Sequence, residues 1–90
     1  MIKQITVISK ALADENRVKI LDLLSGNKLC VIALADILKI SQPAVSQHLK
    51  ILKNSGLLSS KKEGYHIHYS VNREVFEDYG KLIKQLGVKK

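Results

Sequence analysis

The chain has a single cysteine in 90 residues. That excludes an internal disulfide and any cysteine-rich metal framework. No apolar run approaches the roughly 18 residues that a membrane span requires. The start, Met1-Ile2-Lys3-Gln4, lacks the continuous apolar stretch of a secretory leader. The expectation is a soluble, cytoplasmic chain with no membrane partner. Also missing are a glycine-rich phosphate loop, a nucleophile with a base partner and a paired-carboxylate arrangement, so nothing points to an enzyme. Acid is scarce: 15 Lys plus Arg stand against 8 Asp plus Glu, a formal charge of +7. Such an excess favours a polyanionic partner, although it also serves solubility. Ninety residues make one domain, 1–90. A core that small often needs a staple or a partner. With no disulfide and no metal framework, association between chains is the expected source of extra stability.

What is present centres on Ser41 to Gly56. Ser41 can accept a backbone N–H as N-cap. Pro43, the one proline, falls in the first turn, where a missing N–H costs little. Gly56 can take the left-handed conformation that ends a helix. At about 100° per residue, Val45, Leu49 and Leu52 point one way, flanked by Ala44, His48 and Ile51. Pro43, Ser46, Gln47, Lys50 and Asn54 point the other way, flanked by Gln42 and Lys53. One face is apolar. The opposite face is small, amide-rich and basic, which suits an edge of DNA better than a protein core.

The preceding chain reads as three helices. Residues 3–13 carry an Ile5, Ile8, Leu12 stripe with Val7 and Ala11 beside it. Asp14 is the expected N-cap of the second helix, where Asp14 and Glu15 meet the positive dipole end. Arg17, Ile20, Leu21 and Leu24 share a face there, near Val18 and Leu23, and Ser25-Gly26-Asn27 ends it. Lys28-Leu29-Cys30 is short enough for a tiny strand. Val31 to Lys39 forms the third helix, with Ile32 (or Val31), Ala35 and Leu38 inward. Only a few residues separate it from Ser41, which is the helix-turn-helix pattern.

After Gly56 the period changes to 2. Leu57 to Lys62 is one strand, Glu63-Gly64 a turn, and Tyr65, Ile67, Tyr69 and Val71 alternate with His66, His68 and Ser70. Asn72 caps a last helix, 73–87, striped by Val75/Phe76, Tyr79, Leu82/Ile83 and Leu86. The fold class is mainly α with a small β-hairpin wing, a winged helix-turn-helix in the order ααααββα.

The chain resembles the ArsR family (the ArsR/SmtB type) of winged-helix transcriptional regulators over nearly its whole length. Three stretches carry the resemblance: residues 11–21 (Ala-Leu-Ala-Asp-Glu-Asn-Arg-Val-Lys-Ile-Leu), residues 41–52 (Ser-Gln-Pro-Ala-Val-Ser-Gln-His-Leu-Lys-Ile-Leu) and residues 55–58 (Ser-Gly-Leu-Leu). The resemblance implies a homodimer on double-stranded operator DNA, with the first and last helices as the dimer interface. In many members an inducer releases the DNA.

Gln42, Ser46 and Gln47 are the expected base readers, because Gln can pair bidentately with adenine and Ser can contact either base type. Ser41 and Pro43 stand beside them at the helix start. Lys50 and Lys53 would meet phosphates. In the wing, Lys61, Lys62, Tyr65 and His66 are candidates for backbone or minor-groove contact, against the plain reading of a solvated hairpin. Ile5, Ile8, Leu12, Tyr79, Leu82, Ile83 and Leu86 are the candidate interface, and a near-palindromic operator follows from two recognition helices about 34 Å apart. Lys81, Lys84, Lys89 and Lys90 carry charge away from the recognition face. His48 lies on the apolar side and reads as a packed, hydrogen-bonded histidine rather than a ligand.

Metalloid-sensing relatives carry Cys-Val-Cys-Asp-Leu where this chain has Cys30-Val31-Ile32-Ala33-Leu34. Ile32 replaces the second thiol, so a chelate of a soft metal within one chain is lost. The last helix offers Glu74, Glu77 and Asp78 but no histidine, and His66 with His68 makes only half a first shell. No metal and no cofactor are expected. Cys30 is the candidate for a single-thiol sensor, with a small buried cysteine the commoner reading. The inducer, a small molecule or a redox signal, stays unknown. The reading reached is a DNA-binding repressor. A protein-interaction module and a single-cysteine redox regulator are its rivals.

Overall fold

A computed structural model describes residues 1–88. Within them run α1 (Ile2–Ala11), α2 (Glu15–Leu24), α3 (Val31–Leu38), α4 (Gln42–Asn54), β1 (Leu58–Glu63), β2 (His66–Val71) and α5 (Arg73–Gln85). Lys89 and Lys90 lie outside the described residues. No helix among those described is long and apolar enough to cross a membrane.

Local chemistry accounts for most of the boundaries. Asp14 sits in extended backbone and its carboxylate accepts the Arg17 N–H at 3.1 Å, which starts α2. The last residue before the turn out of α3 needs a left-handed conformation. Lys39 supplies it at φ 59°, and the Ile40 N–H returns to the Ala35 carbonyl at 3.2 Å. Residues 39–41 then connect α3 to α4, where Ser41 Oγ accepts the Ala44 N–H at 3.1 Å. Gly56, at φ +89°, turns the chain out of α4 and into β1.

The two strands form one antiparallel hairpin, registered from Leu58↔Val71 to Glu63↔His66. The turn is Gly64-Tyr65, one residue later than the expected Glu63-Gly64. Gly64 takes φ +62° at the first central position, as a type II′ turn requires. No strand forms at Lys28-Leu29-Cys30. That segment is irregular, and Leu29 packs against the core edge from it.

The core lies where α2, α3, α4 and the base of the hairpin meet. Ile20, Leu34, Val45, Leu49, Leu52, Leu57 and Leu58 are buried there. Each buried Leu or Ile contributes about 1.5–3 kcal/mol relative to exposure. Truncating Leu52 to Ala would cost about 2–5 kcal/mol. In α3, Ala35 and Leu38 face inward as expected, and of the two alternatives it is Val31 that packs on the core. Leu34 and Ala35 are its buried residues, whereas Ile32 is 65% exposed. Residues 31–35 are all apolar, so periodicity gives no phase, and packing against α4 chooses it. In β2 the alternation holds only near the base. Tyr69 and Val71 are half-buried, while Ile67 is exposed and Tyr65, in the turn, is 103% exposed. The hairpin tip stands clear of the core, so its apolar side chains have nothing to pack on.

Asn72 heads α5, but its side chain makes no cap. It bridges Gly56 and Ser59 instead, and its backbone carbonyl takes the Val75 and Phe76 N–H groups. α5 packs on α1, and Ser9 Oγ lies 2.8 Å from Tyr79 Oη across that contact. Not one residue of α5 is fully buried.

Candidate nucleic-acid interface

α4 separates two chemistries. Val45, Leu49 and Leu52 fix it to the core, with His48 and Ile51 half-buried at the margins. Gln42, Pro43, Ser46, Gln47, Lys50, Lys53 and Asn54 are all exposed on the opposite side. Ser41, also exposed, takes the Ala44 N–H on its hydroxyl oxygen. It therefore sets the helix start by accepting, and its own O–H stays free to donate. α3, packed across α4, leaves this outer face open. A helix held by one apolar stripe, with amides and ammonium groups projecting, has the dimensions and donors for a major groove.

The hairpin extends the same chemistry. Lys61, Lys62, Tyr65 and His66 are exposed along it. Among the described residues, the lysines of α4 and of the hairpin make no ion pair. The ion pair present is Lys19–Glu15 at 3.4 Å, and the His68 ring lies 3.5 Å from the Glu63 carboxylate. The ammonium groups on these two elements are thus left to solvent or to a polyanion.

His48 is held from behind. Its Nδ1 lies 3.3 Å from Arg17 Nη1, and Arg17 also donates to the carbonyls of Ala11 at 2.7 Å and Lys10 at 3.2 Å. Asp14, one turn before Arg17, is held below the usual carboxylate range chiefly by the Arg17 backbone N–H; partial desolvation opposes this, and the charge of Arg17 adds to it. In the sequence Arg17 shares the apolar face of α2 with Ile20, Leu21 and Leu24, and no local partner marks its role. A guanidinium on an otherwise apolar stripe was the available signal.

Cys30 is exposed, which corrects the expectation of a small buried cysteine. It occupies the N-cap position of α3 and makes no side-chain cap bond. A depression of about 120 Å³ between that position and β2 is lined by Cys30, His66 and His68, among others. No three His, Cys, Asp or Glu groups among the described residues are placed to hold one metal ion.

The interface candidates divide. Ile8, 1% exposed, and Ile5 are consumed inside the protomer, which corrects their assignment to a partner-facing surface. Leu12, Tyr79 and Leu82 are half-buried. Ile83 at 41% and Leu86 at 55% exposed remain available, as do Ile2, Val7 and Val88.

Comparison with known proteins fits this geometry. The model of the family described as bacterial regulatory protein, arsR family, matches residues 14–60. The chain belongs to the arsR family. As an arsR-family member it is a DNA-binding transcriptional regulator and not an enzyme. It is similar to an arsenical resistance operon repressor of Staphylococcus aureus, 37% identical over 86 residues, which covers 96% of this chain and 80% of that protein. An ArsR-like transcriptional regulator from Rhodococcus sp. RHA1 superposes with a TM-score of 0.84 at 28% identity, covering 94% of this chain and 80% of that one. The homodimeric winged helix-turn-helix DNA-binding domain Mb0332 from Mycobacterium bovis gives 0.76 at 26% identity, covering 98% and 84%. The winged helix-turn-helix expected from the sequence is the fold observed.

Proposed function

We propose that this regulator represses transcription as a homodimer on a near-palindromic operator. Gln42, Ser46 and Gln47 read base edges in the major groove. Lys50 and Lys53 hold flanking phosphates, and Ser41 and Pro43 set the helix start against the backbone. Lys61, Lys62, Tyr65 and His66 of the wing follow the backbone beside the major groove. The observation that carries this reading is the two-sided α4, with Val45, Leu49 and Leu52 fully buried and its amide and lysine side chains exposed. The repressor role is supported by the name of the Staphylococcus aureus relative.

The homodimer is supported by the Mycobacterium bovis domain and by the exposed apolar residues on α1 and α5. Ile2, Val7, Ile83 and Leu86 carry apolar area that one small protomer leaves wet. A two-fold partner would cover it and place a second α4 one DNA turn away. The test is recovery of bound duplexes from random sequence by the purified protein. An enriched inverted repeat is the expected product. A sequence-blind, purely salt-dependent association would overturn the reading, because any basic protein gives that.

A further inference from the structure

A chain of polar contacts joins the terminal helices to the back of α4. Tyr79 Oη on α5 meets Ser9 Oγ on α1 at 2.8 Å. Ser9 leads directly to Lys10 and Ala11, where α1 closes. The Ala11 carbonyl is among those that a helix end leaves without an internal partner, and the Lys10 carbonyl already accepts the Ala13 N–H at 3.2 Å. Arg17 of α2 supplies donors to both, from Nε to Ala11 at 2.7 Å and from Nη2 to Lys10 at 3.2 Å. Its remaining arm, Nη1, reaches Nδ1 of His48 on α4 at 3.3 Å. A guanidinium only donates, so His48 accepts at Nδ1 and carries its ring proton on Nε2. The Asp14 cap on the Arg17 N–H fixes the point from which this side chain reaches out.

One planar fork thus spans three elements. Lysine could not do this, because its single ammonium cannot meet two carbonyls and a ring nitrogen in that geometry. Gln47, nominated above to read a base, is the residue next to His48. Arg17 itself lies on the side of α4 away from the exposed face.

We propose that Arg17 is a positioning residue for DNA binding. Through Lys10, Ala11 and His48 it fixes the angle of α4 against the terminal helices, and hence the separation of the two recognition helices in a dimer. This rests on the dimeric reading given above. Half-sites one DNA turn apart leave little tolerance in that separation. A small rotation of α4 on the core would put Gln47 out of register in one half-site once the other is engaged.

The test uses the full chain and the inverted repeat recovered with the unaltered protein, together with versions lengthened or shortened by one base pair at the centre. The unaltered protein should bind the altered spacings at least about tenfold more weakly, the scale of one spoiled base contact. Arg17→Met keeps the stem and removes the fork. His48→Leu removes the acceptor. Both should bind all three spacings within about threefold of one another, a relaxation to the level of small affinity differences. The double variant should be no more relaxed than either single one. His48→Gln, which restores an acceptor, should recover the spacing preference. Base preference within a half-site should be unchanged throughout.

A loss of affinity equal at all spacings would mean a merely structural role and would overturn the proposal. Retention of the preference by His48→Leu would overturn it too, and that variant decides the matter if Arg17→Met does not fold. Indifference of the unaltered protein to spacing would instead remove the dimeric reading, and the positioning role with it.

Discussion

The side-chain amide of Asn72 donates to the Gly56 carbonyl at 2.7 Å, while its Oδ1 accepts from Ser59 Oγ at 2.7 Å. Its own backbone N–H donates to the Leu57 carbonyl at 3.0 Å. One residue therefore clasps the end of α4, the base of β1 and the start of α5. Asn72→Ala should lower stability by about 1–3 kcal/mol, since it leaves the Gly56 carbonyl without its donor. Urea unfolding would measure this as a shifted midpoint with unchanged slope. Asn72→Asp should recover little, because a carboxylate cannot donate to that carbonyl.

Separation of the protomers should follow from changes on the exposed part of α5. Ile83→Glu with Leu86→Glu alters two side chains that are exposed in the protomer, so the fold should hold while the apolar surface is lost. Sedimentation equilibrium at micromolar concentration should turn from dimer to monomer, and operator affinity should fall with it. A dimer that survives both changes would place the interface elsewhere.

The salt dependence of binding reports the wing. If Lys61 and Lys62 each neutralise a phosphate, the slope of log affinity against log salt should flatten by about 0.9 per contact removed. Titrating Lys61→Ala, Lys62→Ala and the pair over a salt series checks this. An unchanged slope would make the hairpin a solvated one.

Much of this was legible in the sequence because local signals agreed. Ser41, Pro43 and Gly56 bracket α4, and Val45, Leu49 and Leu52 share one helical phase, so element, limits and buried face could all be read. The misreadings fall where local signals are silent or compete. The apolar run from Val31 to Ala35 has no phase of its own. Asn72 sits where an N-cap belongs, but Ser59 Oγ takes the side-chain oxygen that would cap while the Gly56 carbonyl holds its amide nitrogen. Ile5 and Ile8 belong to an apolar stripe that the sequence cannot divide between the same chain and a second copy. Arg17 escaped notice because its partners lie 6, 7 and 31 residues away in sequence.

Acid should weaken the start of α2. The Asp14 carboxyl is held below its ordinary value of 3.8 by the Arg17 N–H above all. A carboxyl depressed on folding contributes stability that is present above its unfolded value and is lost as pH falls through the folded one. Unfolding followed by circular dichroism from about pH 5 downward should therefore show a steeper decline for the unaltered protein than for Asp14→Asn, which caps without titrating. Parallel declines would mean that the Asp14 bond contributes nothing to acid sensitivity.

The central claim is that the outer face of α4 reads sequence. The most direct measurement is the ratio of affinities for the recovered inverted repeat and for a scrambled duplex at one fixed salt concentration. For the unaltered protein this ratio should be about 10³ or more. Gln47→Ala should cut discrimination at one base position in each half-site by about 1–3 kcal/mol while leaving scrambled-duplex affinity in place. A ratio near one for the unaltered protein, or full base discrimination in Gln47→Ala and Ser46→Ala alike, would contradict the assignment.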